Sequence, residues 1–315
     1  DTDYYAKLST DLSSPFFNKA TQQKTAPGST LKILSTVAGM SKGVIDDGTY
    51  IECTGSFDLV TPPINCWNKQ GHGSLDIREA IEQSCNVFFT TIGFELGKDS
   101  EGNFSEARSL GMLQKYASLM GLDQKTGIEI SEASPQVSDK NAVPSYIGQG
   151  TNTFTTSQLA RYASTIATSG TIYKLSLLDR VTDSKGKLIK EYPSETAGQL
   201  DLSSNIWDAI HDGMYRVVQT HDQFNGLGVE VAGKPVLPRL TIIIRTMHFL
   251  SDMRLFLIPS TQYLYESQTD MHPVMPALQL NDIFKYISDL QMKAPFSLAM
   301  QQAIPVMYRM TKQTL

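Results

Sequence analysis

Apolar residues recur at helical spacing in several separate stretches of the chain. The clearest stretch is 29–42, where apolar side chains fall three or four positions apart, at Leu31, Leu34, Val37 and Ala38. Gly43 follows this stretch and predicts the end of the helix. Similar patterns predict further helices over residues 76–83, 87–96, 104–120, 155–170 and 203–219.

Two of these helices begin with a capping-box pattern, in which a short polar residue is followed three positions later by Glu or Gln. Asp76 and Glu79 form one such pair, and Thr155 and Gln158 form the other. Each member of a pair can accept a hydrogen bond from the backbone N–H of its partner. We therefore expect helices to start at both places, and Gly170 to end the second.

The segments between the helices show strand and turn patterns. Residues 171–194 alternate around the Asp-Ser-Lys-Gly of 183–186 and predict a β-hairpin. Residues 44–75 contain many Gly and Pro breakers and predict a loop. Residues 1–26 are polar and mixed, which predicts a strand end followed by a loop.

Composition narrows the class of protein. Of 315 residues, 41% are apolar and 19% are charged, which is typical of a globular chain rather than a disordered one. A net charge of −5 and the lack of a Lys/Arg stripe exclude nucleic acid as an expected partner. No apolar run is long enough to cross a bilayer.

Ser29 and Lys32 stand three residues apart at the start of the first predicted helix. This spacing places both side chains on one helix face. A serine hydroxyl becomes nucleophilic when a neighbouring base takes its proton. A lysine can be that base only when burial or nearby cations lower its pKa from about 10.4. The pair predicts an activated serine at the positive end of a helix dipole.

Two further elements accompany this pair. Ser84-Cys85-Asn86 is an S-x-N element, and Val231-Ala232-Gly233 is a small-residue run that ends in Lys234. S-x-x-K, S-x-N and a Lys-Thr-Gly motif, in this order, are typical of penicillin-binding proteins and serine β-lactamases. Together with the Gly-His-Gly of 71–73 and the Gly-Gln-Gly of 148–150, the chain resembles the transpeptidase domain of an elongation-type class B penicillin-binding protein.

The resemblance implies an α+β fold of the penicillin-binding transpeptidase and serine β-lactamase type. Such a fold has an antiparallel sheet flanked by helices and a helical lobe that carries the S-x-N loop. We expect this domain to span residues 1–290, followed by a tail of unknown role at 291–315. Because relatives carry an N-terminal membrane anchor, we expect a fragment that acts on the extracytoplasmic face of the bacterial inner membrane.

The family roles can be assigned residue by residue. The resemblance implies that Ser29 attacks a peptidoglycan stem peptide, that Lys32 takes its proton, and that Ser84 relays a proton to the leaving amine. Asn86 would orient Lys32 and the substrate, and Lys234 would bind the substrate carboxylate. The reaction would be D,D-transpeptidation through an acyl-serine, β-lactams would acylate Ser29, and a membrane glycosyltransferase would be a partner.

The third motif departs from the family pattern. The family expects Lys-Thr-Gly-Thr-Ala, whereas residues 234–238 read Lys-Pro-Val-Leu-Pro. Two prolines remove backbone donors and argue against a paired strand. One lost base accounts for the change, because AAA CCG GTA CTG CCC becomes AAA ACC GGT ACT GCC when one A is restored. Half of the oxyanion hole, the N–H of Leu237, is thereby in doubt.

The same one-base shift of the reading frame also gives a family-like amino-acid sequence further along the chain. A one-base shift can turn residues 242–255 into a His- and Gly-containing strand and turn, and the original frame returns before residue 282. We infer a frame-shifted segment from about 235 to 280, and sequencing the encoding DNA tests this. The alternative is a divergent insertion with a remodelled third motif.

The three cysteines and a histidine suggest a structural metal. Cys53, Cys66, His72 and Cys85 supply the ligand types of a closed tetrahedral zinc site. Some elongation-type relatives hold zinc beside the S-x-N element, with carboxylates in two of the four positions. The alternative is a Cys53–Cys66 disulfide with a buried Cys85. No cofactor is expected for the chemistry itself.

Other functions share this serine chemistry. A β-lactam-binding sensor domain would be acylated without turnover, and a class D β-lactamase would hydrolyse the acyl-enzyme quickly. A catalytically dead scaffold would fit the broken third motif and would not be acylated. No histidine has triad partners at a meaningful spacing, which argues against a Ser-His-Asp hydrolase.

Overall fold

A computed structural model gives the structure of the chain. It describes residues 2–12, 14–220, 231–237, 240–245 and 254–256, with side chains up to residue 234. The chain divides into two units, each with its own contacts. The first comprises residues 1–177, 194–218 and 231–259, and the second comprises residues 178–193, 219–230 and 260–315.

The first unit contains the described helices. A 3₁₀ turn (Gly28–Leu31) leads directly into α3. In chain order the helices are α1 (Thr2–Ser9), α2 (Lys19–Gln22), α3 (Lys32–Ser41), α4 (Ile77–Glu82), α5 (Asn86–Leu96), α6 (Glu106–Leu119), α7 (Ala142–Ser145), α8 (Thr156–Ala167) and α9 (Ser204–Gln219).

The strands are short and pair antiparallel. In chain order they are β1 (Lys24–Thr25), β2 (Ile51–Cys53), β3 (Ser56–Phe57), β4 (Ile64–Asn65), β5 (Gly73–Leu75), β6 (Phe154–Thr155), β7 (Thr171–Lys174), β8 (Arg180–Thr182), β9 (Leu188–Glu191), β10 (Glu195–Gln199), β11 (Val231–Leu237), β12 (Leu240–Arg245) and β13 (Arg254–Phe256). The pairs are β1–β6, β2–β5, β3–β4, β7–β10 and β8–β9, and β11, β12 and β13 form a three-stranded sheet in that order.

Helix α3 lies at the centre of the hydrophobic core. Eight of its ten residues are buried, including the polar residues Lys32, Ser35 and Thr36. The Ser35 hydroxyl donates to the Tyr146 carbonyl at 2.7 Å, so this buried hydroxyl is satisfied. Helices α5 and α6 pack against α3, and α7 packs against both α5 and α6.

The sheet edge reaches the same core. Strand β11 contacts the 3₁₀ turn of Gly28–Leu31, and α8 contacts β12 and β13. Tyr162 on α8 and Phe154 on β6 are fully buried beneath this layer. The start of α3 is therefore held between helices on one side and β11 on the other.

Several sequence predictions are confirmed. Both capping boxes are present, at Asp76 with Glu79 and at Thr155 with Gln158. The predicted helices lie within a few residues of α4, α5, α6, α8 and α9. β8 and β9 form the predicted hairpin around residues 183–186. This hairpin is shorter than the predicted range of 171–194, because β7 pairs instead with β10.

Three sequence predictions are wrong. Residues 1–26 contain α1 and α2 rather than only a strand end and a loop. The Asn18 side chain caps α2 by accepting from two backbone N–H groups, a local signal that the sequence reading missed. Residues 44–75 form β2 to β5, because β2 pairs with β5 and β3 with β4 across breaker-rich loops.

The third wrong prediction concerns the prolines, because Pro235 belongs to a paired strand. β11 pairs with β12 from Val231 to Leu237, with a register shift between Pro235 and Leu237. β11 is an edge strand of the described sheet. Proline is tolerated at edges and bulges, where a missing N–H costs no ladder bond.

No helix in the described ranges is long and apolar enough to cross a membrane. The predicted tail at 291–315, and most of the segment inferred to be frame-shifted, lie outside the described residues. The boundary predicted at residue 290 also lies there and stays a prediction.

Candidate active site

The predicted nucleophile lies in a tight turn. Ser29 is half-buried in the 3₁₀ turn at the amino end of α3. The Thr30 hydroxyl fastens this turn by donating to the Pro27 carbonyl at 2.8 Å. Because the free N–H groups and the positive end of the helix dipole lie here, negative charge that develops beside Ser29 is stabilised.

Gly148 supports this turn from behind. It has a φ of +80°, and a Cβ added to it would overlap the carbonyl oxygen of Gly28. The backbones therefore approach too closely for any residue with a side chain. The Gly-Gln-Gly of 148–150, which contributed to the family resemblance, thus packs directly behind the nucleophile turn.

Lys32 is buried and connects the nucleophile helix to the S-x-N loop. Its Nζ donates to the Ser84 carbonyl at 2.6 Å, to the Ser84 hydroxyl oxygen at 3.1 Å and to Asn86 Oδ1 at 2.7 Å. The Phe89 ring lies 5.6 Å from the same amine. The structure therefore brings Lys32 together with Ser84 and Asn86, two predicted site residues that lie more than 50 positions further along the chain.

The surroundings of Lys32 change its protonation. Burial lowers the pKa of this amine from 10.5 to about 7, because the charged form loses its hydration, while the neighbouring Cys85 and Cys66 oppose the shift. At neutral pH a large fraction of the amine is therefore uncharged. The charged ammonium can donate all three of its hydrogen bonds, whereas the uncharged amine donates two and carries the lone pair that a general base requires.

The S-x-N loop is a strained connection between α4 and α5. Ser84 has a φ of +49°, a conformation uncommon for residues other than glycine. Asn86 is the first residue of α5, and its Nδ2 donates to the Asn65 carbonyl at 3.0 Å. Such strain persists only where the surroundings hold the backbone firmly.

Trp67 is one residue that holds this loop, and the sequence reading did not single it out. Its indole N–H donates to the carbonyl of Gln83, the residue before Ser84, at 2.8 Å. Its ring packs edge-on against His72, with the ring centroids 5.0 Å apart. Because this side chain is largely exposed, neither burial nor hydrophobic periodicity could have revealed the contact.

Lys234 is buried in β11, the strand that contacts the nucleophile turn. Within the part of the chain described here, its Nζ has no hydrogen-bond partner. Burial lowers the pKa of Lys234 well below its usual value, and repulsion from Lys32 adds to the shift. A carboxylate at this position would satisfy the amine and favour its charged form.

The four predicted metal ligands meet behind the S-x-N loop. The ligand atoms of Cys53, Cys66, His72 and Cys85 all lie within 4.8 Å of one another. His72 Nδ1 is 3.5 Å from the Cys53 sulfur and 3.6 Å from the Cys66 sulfur. In tetrahedral zinc sites with Zn–S bonds near 2.3 Å, sulfur ligands lie about 3.8 Å apart. The donor set therefore fits a structural zinc ion.

The cysteines are free, so the alternative of a Cys53–Cys66 disulfide is not what the structure contains. The Cys66 and Cys85 sulfurs lie 4.0 Å apart and share a hydrogen bond, which lowers the pKa of the Cys66 thiol. The Asn86 N–H also donates to the Cys66 sulfur, at 3.3 Å. The cluster thus contacts the catalytic loop directly, since Cys85 lies between Ser84 and Asn86.

Comparison with known proteins identifies the family. The model of the penicillin binding protein transpeptidase domain matches residues 2–235. The chain belongs to this family. The matched region ends at Pro235, where the third motif departs from the expected pattern.

Individual relatives support this assignment to the transpeptidase family. The peptidoglycan D,D-transpeptidase MrdA of Escherichia coli K12 is 26% identical over 252 residues, which cover 73% of this chain and 38% of the relative. The chain thus spans well under half the length of this curated relative. The predicted resemblance to elongation-type penicillin-binding protein 2 is confirmed.

Solved structures of penicillin-binding proteins share the fold. An imipenem acyl-enzyme of penicillin-binding protein A from Mycobacterium tuberculosis matches with a TM-score of 0.65 at 19% identity, covering 78% of this chain and 56% of that one. A complex of penicillin-binding protein 2 with MreC from Helicobacter pylori matches with a TM-score of 0.61 at 21% identity, covering 78% and 47%. The predicted α+β transpeptidase fold is confirmed.

The packing of Gly148 generates a prediction. Gly148→Ala should disturb the nucleophile turn, because the methyl group would overlap the Gly28 carbonyl. Covalent labelling by a fluorescent penicillin should slow by roughly tenfold or more. The control is Gly43→Ala, since Gly43 has a similar φ of +67° and nothing within 4 Å of an added Cβ. Equal labelling rates in the two variants would contradict the packing role.

Proposed function

We propose that this domain is a serine D,D-transpeptidase that cross-links peptidoglycan stem peptides through an acyl-serine intermediate. The observation that supports it most is the buried amine of Lys32, which bonds to both Ser84 and Asn86. Its pKa is lowered to about 7, so this amine could act as an uncharged base for the half-buried Ser29, three residues before it in sequence. The activity named for the Escherichia coli relative agrees with this chemistry.

In the first step, Ser29 Oγ attacks the carbonyl carbon between two D-alanines of the stem peptide. The neutral amine of Lys32 takes the hydroxyl proton as the new C–O bond forms. Charge develops on the carbonyl oxygen, which the N–H groups of Ser29 and Leu237 would receive. Neither proline of the altered third motif occupies position 237, so the second of these N–H donors is retained.

In the second step, the C–N bond breaks and D-alanine leaves. The leaving amine needs a proton, and the Ser84 hydroxyl can relay one from the Lys32 ammonium, 3.1 Å away. Asn86 bonds to Lys32 through its amide oxygen, which fixes the direction of the amine. Lys234 would bind the terminal carboxylate of the donor peptide, since its buried amine has no acceptor among the described residues.

The acyl-enzyme is then resolved by an amine of a neighbouring strand. That amine attacks the ester carbonyl and Lys32 accepts its proton. The C–O bond to Ser29 then breaks, the proton returns from Lys32 to Ser29 Oγ, and the new peptide cross-link is released. A β-lactam would enter the same first step and remain bound, because the opened ring is not expelled. We expect this cycle at the extracytoplasmic face of the membrane, with partners from the cell-wall machinery such as a glycosyltransferase.

The altered third motif should change the rate of the reaction but not the residues that carry it out. The family pattern has threonine at 235 and glycine at 236, whereas this chain has Pro235 and Val236. Pro235 has no N–H to donate to a substrate backbone, and the glycine that permits close approach in the family is absent from position 236. If residues 235–280 are the frame-shifted product, the corrected sequence would restore both contacts.

We also propose that Cys53, Cys66, His72 and Cys85 bind a structural zinc ion. His72 Nδ1 faces the sulfurs, and its Nε2 is buried without a partner in the described residues, which favours Nδ1 as the ligand atom. The ion would fix the rear of the Ser84–Asn86 loop and would supply no reactive group. No cofactor is required for the acyl transfer.

Covalent labelling tests the proposed function. Incubation with a fluorescent penicillin should add the mass of one β-lactam to the chain. Ser29→Ala should abolish that adduct, because it removes the attacking oxygen. The matched control is Ser41→Ala at the far end of α3, which should label normally. Persistent labelling of Ser29→Ala would refute the assignment, and no labelling of the parent chain would favour the scaffold alternative.

The protonation of Lys32 gives a pH prediction. The base works when uncharged, and its pKa is lowered to about 7. Below pH 7 the acylation rate constant should therefore fall by about tenfold per pH unit, and it should level off above pH 8. Stopped-flow labelling between pH 5.5 and 8.5 measures this. A rate independent of pH between 6 and 8 would contradict Lys32 as the base.

Metal analysis tests the zinc proposal. The purified chain should contain about one zinc ion, and its three thiols should react with a thiol reagent only after a chelator is added. Cys53→Ser should lower the zinc content without touching the S-x-N loop, since Cys53 lies on β2. A chain that contains no zinc would exclude the site, whether its three thiols are free or two of them are paired.

A further inference from the structure

The hydroxyl group of Tyr162 lies between two backbone groups at the start of α3. The Leu34 N–H donates to this hydroxyl oxygen at 2.9 Å, and the hydroxyl donates to the Thr30 carbonyl at 3.2 Å. In a continuous α-helix the Leu34 N–H would donate directly to the Thr30 carbonyl. The tyrosine hydroxyl therefore bridges the two atoms that an α-helical hydrogen bond would join.

This bridge coincides with a change in helix type. Residues Gly28–Leu31 form a 3₁₀ turn, and α-helix begins only at Lys32. In a 3₁₀ turn, residues three apart are aligned along the axis, whereas in an α-helix they are about 60° apart around it. The 3₁₀ form therefore aligns Ser29 with Lys32.

Lys32 cannot follow a rotation of the turn. Its amine is fixed by the Ser84 carbonyl and by Asn86, and its side chain is fully buried. If the turn rewound into α-helix, Ser29 would rotate away from an amine that stays in place. The distance across which the proton moves thus depends on the helix type of one turn.

Tyr162 is suited to hold that turn. It is 1% exposed and belongs to α8, which starts with a capping box and is independent of α3 in sequence. Burial raises the pKa of its phenol, so the hydroxyl stays protonated and can donate and accept at once. The same buried oxygen thus satisfies one donor and one acceptor that the turn leaves open.

We propose that Tyr162 is a positioning residue whose hydroxyl keeps the Ser29–Lys32 turn in 3₁₀ form, and so keeps the nucleophile aligned with its base. This inference deepens the proposed function and rests on it. Tyr162 acts through the backbone of Thr30 and Leu34 and does not touch the substrate.

The test compares two tyrosines in the full chain. Tyr162→Phe removes the bridging hydroxyl, whereas Tyr146→Phe removes an equally buried hydroxyl that donates to the Ser109 carbonyl at 2.8 Å, away from the turn. Tyr146→Phe loses one buried hydrogen bond and Tyr162→Phe loses two, so both should melt at a lower temperature, and Tyr162→Phe at the lower of the two. A merely structural role predicts that they behave alike in every other measurement.

Two measured quantities separate non-covalent binding of the penicillin from the acylation of Ser29. With a fluorescent penicillin, Tyr162→Phe should lower the first-order acylation rate constant by about tenfold to a hundredfold, and the dissociation constant of the non-covalent complex should stay within about twofold. Tyr146→Phe should leave both quantities within about twofold of the parent chain. Equal acylation rates in the two variants would overturn the inference while leaving the proposed function intact.

Crystal structures provide a readout that does not depend on acylation. In Tyr162→Phe the Leu34 N–H should bond directly to the Thr30 carbonyl, and the Ser29 side chain should rotate about the helix axis. An unchanged 3₁₀ turn in that variant would overturn the inference. If Tyr162→Phe does not fold, a crystal structure of the parent chain decides, since a direct bond between Leu34 and Thr30 there would also overturn it.

Discussion

The burial of one amine governs this site. Lys32 reaches from the central helix to the S-x-N loop, and its three hydrogen bonds fasten the loop to the nucleophile helix. The same burial that makes these bonds strong removes the hydration of the charge, which brings the pKa of the amine to about 7. The anchoring of the loop and the proposed role of Lys32 as general base therefore both follow from where this amine lies. Moving the loop would both loosen the core and recharge the base.

The loop that receives this amine is held from several directions, because its backbone is strained. Ser84 adopts a positive φ, Trp67 fastens the carbonyl before it, and the Cys66 sulfur accepts the N–H of Asn86 behind it. Gly148 packs closely against the carbonyl of Gly28 in the turn that carries Ser29. Catalytic groups that must keep sub-ångström positions need such support, since small misplacements cost large factors in rate.

The third motif shows how a sheet accommodates an altered sequence. Pro235 lies in β11, yet this strand pairs with β12 and contacts the nucleophile turn. The edge position and the register shift tolerate the missing N–H, so the backbone path survives where the side-chain chemistry does not. Lys234, the last family-like residue of the motif, remains buried beside Lys32. The consequences of the substitution therefore concentrate on substrate contacts at 235 and 236.

Local patterns in the sequence predicted most of the longer helices, two of their caps and the candidate chemistry, although they missed α1, α2 and the Asn18 cap. The apolar positions after Ser29, the capping box at Asp76 and the four zinc-type ligands could all be predicted from the sequence. Periodicity, capping and ligand type are short-range properties. The pairing of β2 to β5, the contact of Trp67 with Gln83 and the bridge from Tyr162 to α3 depended on the tertiary structure. Each of these joins groups far apart in sequence through backbone atoms, and a backbone N–H or carbonyl carries no residue-specific signal.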